Sequence, residues 1–397
     1  MIGNILLILL LILVFAKLLG AIFEKIGLDS TLGELLTGII LGPSLLNIVH
    51  AESIEAFAII GSVLILFVAG MKQQDIEKIY QDKPALKIGL TLLIVTGIIM
   101  TAFFYFIPAF FGIKFTVFQA LILGLAFAVV DIGVPAKVLI SKGLINLPVG
   151  RITIRSSIVN ILVGLLLFTI ATVFISPNLH DILFKAGGII LFLAITVGIV
   201  YFLTKISKFV MKLHIEEAEF SLALIMVLAL AYITEVIGFS SVVGAFLAGV
   251  LIAKMPFAET RSFEDKIKSI SFGLFIPLFF VWFGLEIHLA EIWKHIILAV
   301  LIFLAYASIR FFITYAYMKK YKLKMPALIS SSMLSVDVES LVIIMVALQL
   351  GIFLTDIPLT LFAPSVFFST FFIVLLVAIF SKIEKSVKVK KRIKFIE

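Results

Sequence analysis

Long apolar runs alternate with short polar breaks from one end of the chain to the other. Thirteen runs have the length that a helix needs to cross about 30 Å of hydrocarbon. They fall roughly at 2–23, 31–49, 53–72, 86–111, 116–140, 149–176, 184–212, 217–237, 239–255, 269–287, 294–318, 325–350 and 358–381, and only a short break divides the eighth from the ninth. The segments of roughly ten alternating residues that mark a membrane barrel are not the pattern here. No connecting stretch has the length of a soluble domain. The first run has no basic leader and no small-residue cleavage pattern, so it reads as a retained helix rather than a signal peptide. The pattern predicts an all-α integral membrane protein of about 13 transmembrane helices, forming one unit over residues 1–397.

Two runs are interrupted by charge. Ala128-Val129-Val130-Asp131-Ile132-Gly133-Val134-Pro135 places a carboxylate, a glycine and a proline inside the fifth run. Ser335-Val336-Asp337-Val338-Glu339-Ser340 places two carboxylates inside the twelfth. Charge at membrane depth is costly and marks a working site by default. Spans 4 to 6 (residues 86–176) and spans 11 to 13 (residues 294–381) both read as long helix, interrupted helix, long helix. The second set begins an odd number of spans after the first, so it crosses in the opposite sense. That is the inverted-repeat pattern in which two discontinuous helices meet at a transporter's binding site.

Composition agrees with this class. Hydrophobic residues make up 62% of the chain and charged residues 14%, against about half and a quarter in soluble domains. Cysteine is absent, which removes disulfides and thiolate chemistry and assigns no compartment. The net charge of +8 comes from basic residues collected after odd-numbered spans, among them Lys72, Lys78, Lys83 and Lys87 after the third and Lys137, Lys142, Arg151 and Arg155 after the fifth. Lysine and arginine favour cytoplasmic loops. The alternation therefore predicts a cell-membrane protein with its N-terminus outside and a basic cytoplasmic tail at 382–397. Nucleic acid is not the partner that this charge implies, because it is divided among short loops and a tail; anionic lipid headgroups are a secondary partner.

Four stretches resemble signatures of the monovalent cation:proton antiporter-2 family, which includes the NapA and Kef proteins. They are Leu32-Gly33-Glu34-Leu35-Leu36-Thr37-Gly38-Ile39-Ile40-Leu41-Gly42-Pro43-Ser44, the run from Gly61 to Met71, the run from Gly238 to Gly249, and Phe279-Phe280-Val281-Trp282-Phe283-Gly284-Leu285-Glu286. The resemblance covers about residues 20 to 380 in order. It implies a core built on two crossed discontinuous helices, a separate dimerisation domain and hence a homodimer, and an elevator-like alternation of access. Gly33, Gly38, Gly42, Gly244 and Gly249 also have a plain role, since small residues let membrane helices approach closely.

The sequence departs from that family at the site. The family's sixth span carries Asp-Asp or Asn-Asp before a glycine. Here Asn160 holds the first position and Ile161 the second, and no acid lies between Asp131 and Asp181. Isoleucine neither ligates a cation nor titrates. Thr153, Ser156, Ser157 and Asn160 recur at helical spacing and share one face of the sixth span. Asp131 replaces a small polar residue of the family and is a candidate for the missing acid, or else a charge that neutralises a helix end. Glu339 aligns with the family's acid in the second broken helix, and Asp337 stands two positions earlier. Arg310 aligns with a lysine of many electrogenic members. It stays protonated, which suits a fixed counter-ion paired with Glu339 better than a proton carrier.

Other polar residues carry less. Glu34 reads as a capping or interfacial residue. His50, His180, His214, His288 and His295 fall near predicted span ends and form no metal pattern. No phosphate loop, nucleophile elbow or clustered triad occurs, so neither an enzyme nor a cofactor is expected, nor the cytoplasmic nucleotide-binding domain of Kef proteins. Two functions remain open. One is exchange of Na+ or another monovalent cation for H+. The other is a non-classical relative: a cation channel or uniporter, a carrier of another small ion, or a regulatory ion-binding membrane protein.

Overall fold

A computed structural model of the chain describes residues 2–25, 30–71, 82–131, 135, 138–139, 144, 146–173, 187, 198, 217–236, 241–336 and 338–393. Among the described residues every regular element is helical. In chain order these are α1 (Ile2–Lys25), α2 (Ser30–Leu41), α3 (Glu55–Met71), α4 (Lys83–Phe106), α5 (Val117–Ala128), α6 (Pro148–Val173), α7 (Ala218–Val236), α8 (Ser241–Ile252), α9 (Arg261–Ile270), α10 (Ile276–Leu285), α11 (Leu289–Lys294), α12 (Ile296–Lys320), α13 (Pro326–Ser332), α14 (Val338–Gln349) and α15 (Ile357–Ile393). A π-helical turn at Ser271–Phe275 joins α9 to α10.

Each expected span other than the seventh holds helix, while 184–212 lies almost wholly outside the described residues. Seven described helices are long and apolar enough to cross a membrane, so a count of thirteen is not reached on length. The physical reason is local. Spans 5 and 12 break part-way: α5 stops at Ala128, and α13 and α14 divide the other. The second span is also shorter than expected, because α2 ends at Leu41 just before Gly42-Pro43, and a proline disfavours helical geometry in the residue before it.

The chain forms two compact units. The first comprises Met1–Ala21, Gly33–Ile76 and Leu165–Ile287. Its helices meet through glycines. A Cβ at Gly249 would sit 2.1 Å from Phe67 O, and one at Gly38 would sit 2.0 Å from Val281 O, so α3 meets α8 and α2 meets α10 backbone to backbone. An apolar cluster of Phe67, Val227, Leu230, Leu251, Phe257 and Phe263 fills the space between the helices. Leu6, Leu7, Leu10 and Leu18 of α1 remain exposed, as suits a helix whose solvent is hydrocarbon.

The second unit comprises Ile22–Leu32, Glu77–Gly164 and His288–Glu397. It holds both broken helices. Asp82 caps α4 by accepting from Ala85 N at 3.3 Å, and Arg155 of α6 donates to the same carboxylate at 3.0 Å. Thr116 and Gln119 form a capping box that starts α5. Phe127 packs its ring against Phe104, Tyr306 and Phe362 at centroid distances of 5.3, 5.4 and 5.5 Å. That aromatic cluster walls one side of the place where the breaks meet.

Candidate ion site

The first break begins where α5 runs out of partners. A helix C-terminus leaves its last carbonyls without intrahelical donors. Val129 is extended (φ −72°, ψ 131°) and still donates back to Leu125 O. From Val130 onward the pattern changes. Val130 N donates to Asn160 Oδ1 at 2.9 Å, and Asn160 Nδ2 donates to Ala128 O at 3.1 Å. A further, longer bond runs from Nδ2 to Gly89 O at 3.4 Å. Asn160 is fully buried, so its whole amide serves the backbone of α5 and α4.

Arg310 closes the same end from α12. Its Nη2 donates to Phe127 O at 2.5 Å and to Val129 O at 2.6 Å. Its Nη1 donates to Ser335 O at 2.7 Å, in the second break between α13 and α14. One guanidinium thus bridges both interruptions. A cation at a helix C-terminus is favoured by the dipole as well as by the orphan carbonyls. The guanidinium also lies 5.3 Å from the centroid of the Tyr306 ring, within cation–π range. Tyr306 is itself tied by its hydroxyl to Ser365 O at 3.2 Å.

Asp131 stands at this junction. Its backbone N lies 3.5 Å from Ser335 O, the carbonyl that Arg310 also engages. The residue is 6% exposed, and its charge acts electrostatically on Arg310. Ser340 of α14 donates to Val129 O at 3.3 Å. Glu339, one residue earlier in the first turn of α14, is buried at a helix N-terminus, where the dipole favours an acid. Asp131, Asn160, Arg310 and Glu339 therefore all belong to the elements that meet at the two breaks.

The remaining candidates sit differently. Ser157 is buried and contacts Met333 Sδ at 3.5 Å, at the start of the second break. Thr153 lies seven residues before Asn160, about 10 Å along a helix axis at 1.5 Å per residue. Its hydroxyl donates to Val149 O, and that of Ser156 donates to Thr153 O. Those bonds use the hydroxyl hydrogens and leave lone pairs. Asp337 lies outside the described residues. Ile161, which the family resemblance sets at the acid position, is 1% exposed. The carbonyls of Phe127, Val129 and Ser335 are participants that composition and spacing do not reveal, because every residue carries one.

Comparison with known proteins identifies the family and the fold. The family model described as sodium/hydrogen exchanger, transmembrane, matches residues 10–382. The chain is similar to a Bacillus cereus protein named Probable Na(+)/H(+) antiporter GerT, 29% identical over 70% of this chain and 73% of that one. It is also similar to an Na(+)/H(+) antiporter of Enterococcus hirae, 26% identical over 73% and 75% of the two chains. In fold it is similar to the sodium proton antiporter MjNhaP1 of Methanocaldococcus jannaschii, with a TM-score of 0.66, 18% identity, and coverage of 95% and 94% of the two chains.

Proposed function

The chain belongs to the sodium/hydrogen exchanger family, and we propose that it exchanges a monovalent cation, Na+ first among them, for protons across a cell membrane by alternating access. The observation that carries this reading is Asp131, buried where two helix breaks meet and acting electrostatically on a buried Arg310 that is bonded to both. A buried carboxylate beside a fixed cation can be neutralised by one proton or one alkali cation. The two ligands then compete for the same oxygens, and competition at one site is what couples their movements. The names of the relatives, which describe Na(+)/H(+) antiporters, support the choice of ions.

Asp131 is the group that titrates and binds. Asn160 holds the first break in shape, and Ser157 stands beside the second break through Met333. Asp337 and Glu339 are further acids of the same region, and Arg310 is the counter-ion that never leaves. Residues 86–176 and 294–381 act as inverted repeats. The N-terminus is outside, the tail at 382–397 is cytoplasmic and meets anionic lipid, and the protein is a homodimer. The lysine pattern supports the orientation, and the family resemblance supports the dimer. No enzymatic step belongs to this reading, since the named relatives are transporters.

One observation favours a second reading. Ile161 is apolar and buried where the family places its principal acid. A pocket rebuilt in that way would suit a channel, a uniporter, a carrier of another small ion or a regulatory ion-binding protein. Proteoliposomes holding a pH gradient separate the two. Collapse of the gradient on adding Na+, Li+ or K+ is the expected result, and a gradient that none of the three disturbs would remove the exchange reading.

A further inference from the structure

Lys17 interrupts the apolar run of α1, and the exchange reading makes no use of it. A charge within a membrane helix is costly and has a purpose by default. Its Nζ donates to Phe272 O at 2.8 Å and lies 3.8 Å from Glu34 Oε1 on α2. All three residues belong to the first unit. Phe272 stands in the π-helical turn between α9 and α10, within a helical stretch long and apolar enough to cross a membrane. Its side chain is exposed, and hydrocarbon offers a carbonyl no donor.

The turn explains why Phe272 O takes a donor from another helix. In an α-helix this carbonyl would accept from Ile276 N, four residues on. Here Ile276 N donates to Ser271 O, the longer bond of a π-turn. In that register the donor for Phe272 O would be residue 277, which is proline and has no N–H. The same proline takes from Gly273 O its α-helical donor. The helix itself therefore has no N–H left for Phe272 O. The turn also holds one residue more than an α-helix would, and one residue is about 100° of helix phase. Both neighbours seat on the shifted phase. Phe263 and Ile267 of α9 are buried in the cluster with Phe67 and Val227. A Cβ at Gly284 would stand 2.1 Å from Leu35 O, so α10 meets α2 backbone to backbone.

We propose that Lys17 is a clamp set by α1 on the joint between α9 and α10: its ammonium takes the place of the backbone N–H that Pro277 lacks, and so holds the π-turn that fixes the phase of both helices. An ammonium carries its donors on a flexible stem, which suits it to reach a carbonyl of a neighbouring helix. The Glu34 carboxylate nearby balances its charge. The same bond fixes the rotation of α1, whose Leu6, Leu7, Leu10 and Leu18 face outward. The clamp needs no ion and stands apart from the exchange reading.

Melting temperatures in detergent and an experimental map of the parent test it. Lys17→Met keeps the stem and removes the donors, and it should melt several degrees below the parent. Deleting Phe272 together with Pro277→Ala makes the joint a regular α-helix: Ile276 N to Ser271 O becomes an α-helical bond, Gly273 O gains a donor, and both helices keep their phase. In that background Lys17→Met should cost nothing. In a Glu34→Gln background it should cost what it costs in the parent. The map should show the ammonium on Phe272 O and the extra residue in the turn. Lys17→Met melting with the parent would overturn the proposal, as would an equal loss in the regularised joint. So would a loss that vanishes with Glu34→Gln, since the ion pair would then be the purpose of Lys17. If the deletion variant does not fold, the Glu34→Gln comparison and the map decide, and a regular α-helix through Ser271–Phe275 in the parent overturns the proposal.

Discussion

Asn160 supplies, from α6, both partners that the end of α5 cannot find within itself: its Oδ1 accepts from Val130 N and its Nδ2 donates to Ala128 O. An amide presents an acceptor and a donor side by side whatever the pH. The residue at this position is therefore specified by the backbone of the break as much as by any ion.

Asn160→Ala should leave Val130 N and Ala128 O buried without their partners. The cost is about 1–3 kcal/mol for each group left unsatisfied. A lower melting temperature together with lost flux is expected. Asn160→Asp keeps the acceptor and loses the donor, so it should also destabilise. Equal melting temperatures for the parent and both variants would show that the break does not depend on this amide.

Asp131→Asn should abolish Na+-dependent proton flux and leave the fold intact. The backbone bond from residue 131 to Ser335 O does not involve the side chain, and Arg310 keeps its three carbonyls. Circular dichroism and melting temperature should match the parent while proteoliposome flux falls to background. Unchanged flux would exclude Asp131 as the obligatory carrier.

Ile161→Asp restores the family's Asn-Asp order. The side chain is buried beside Asn160 on α6, and Ser156 and Ser157 offer polar neighbours on the same helix. The expected outcome is a changed flux, seen as tighter cation binding or a displaced pH profile, with some loss of stability from burying a carboxylate. A well-folded variant with the parent's flux and profile would place position 161 outside the transport site.

Gly249→Ala should be severe. The new Cβ would stand 2.1 Å from Phe67 O and 2.8 Å from Met71 N, both backbone atoms that cannot rotate away. Overpacking of this kind costs about 1–3 kcal/mol or more. Gly273→Ala is the matched control, since nothing lies within 4 Å of a Cβ there. Thermal melting in detergent should separate the two clearly. Similar melting temperatures would mean that α3 and α8 can part without cost.

Asp82 has two roles, and two variants divide them. Asp82→Asn keeps an oxygen for Ala85 N and removes the charge opposite Arg155, while Asp82→Ala loses both. Loss of an N-cap costs about 0.5–2 kcal/mol, so alanine should melt measurably below asparagine. Equal values would leave the cap without weight in this helix.

Much of the architecture was written in local pattern. Apolar run length gave the helices, although α2 ends at Leu41, short of the span expected over 31–49. The polar insertions at Asp131 and Ser335 marked where both breaks occur. Gly38 and Gly249 were legible as packing positions, because a helix pair that meets without side chains needs them in any context. Asn160, Ser157 and Arg310 stood out for a similar reason, since polar groups in an apolar run must have a use.

What each of those groups touches was not legible. Arg310 was expected to be a counter-ion paired with Glu339, and the three carbonyls that it engages, one of them 183 positions away, were not foreseen beside that pairing. Thr153 looked equivalent to Asn160 by face, yet it lies two turns away and bonds within its own helix. Periodicity is a property of a few neighbouring residues and fixes which way a side chain points around its own axis. It says nothing of which backbone arrives opposite. The chain alone therefore determined that two helices must break and that a buried arginine must be satisfied. Only the tertiary packing, by bringing the orphan carbonyls of one break beside those of the other, decided that a single guanidinium would satisfy both.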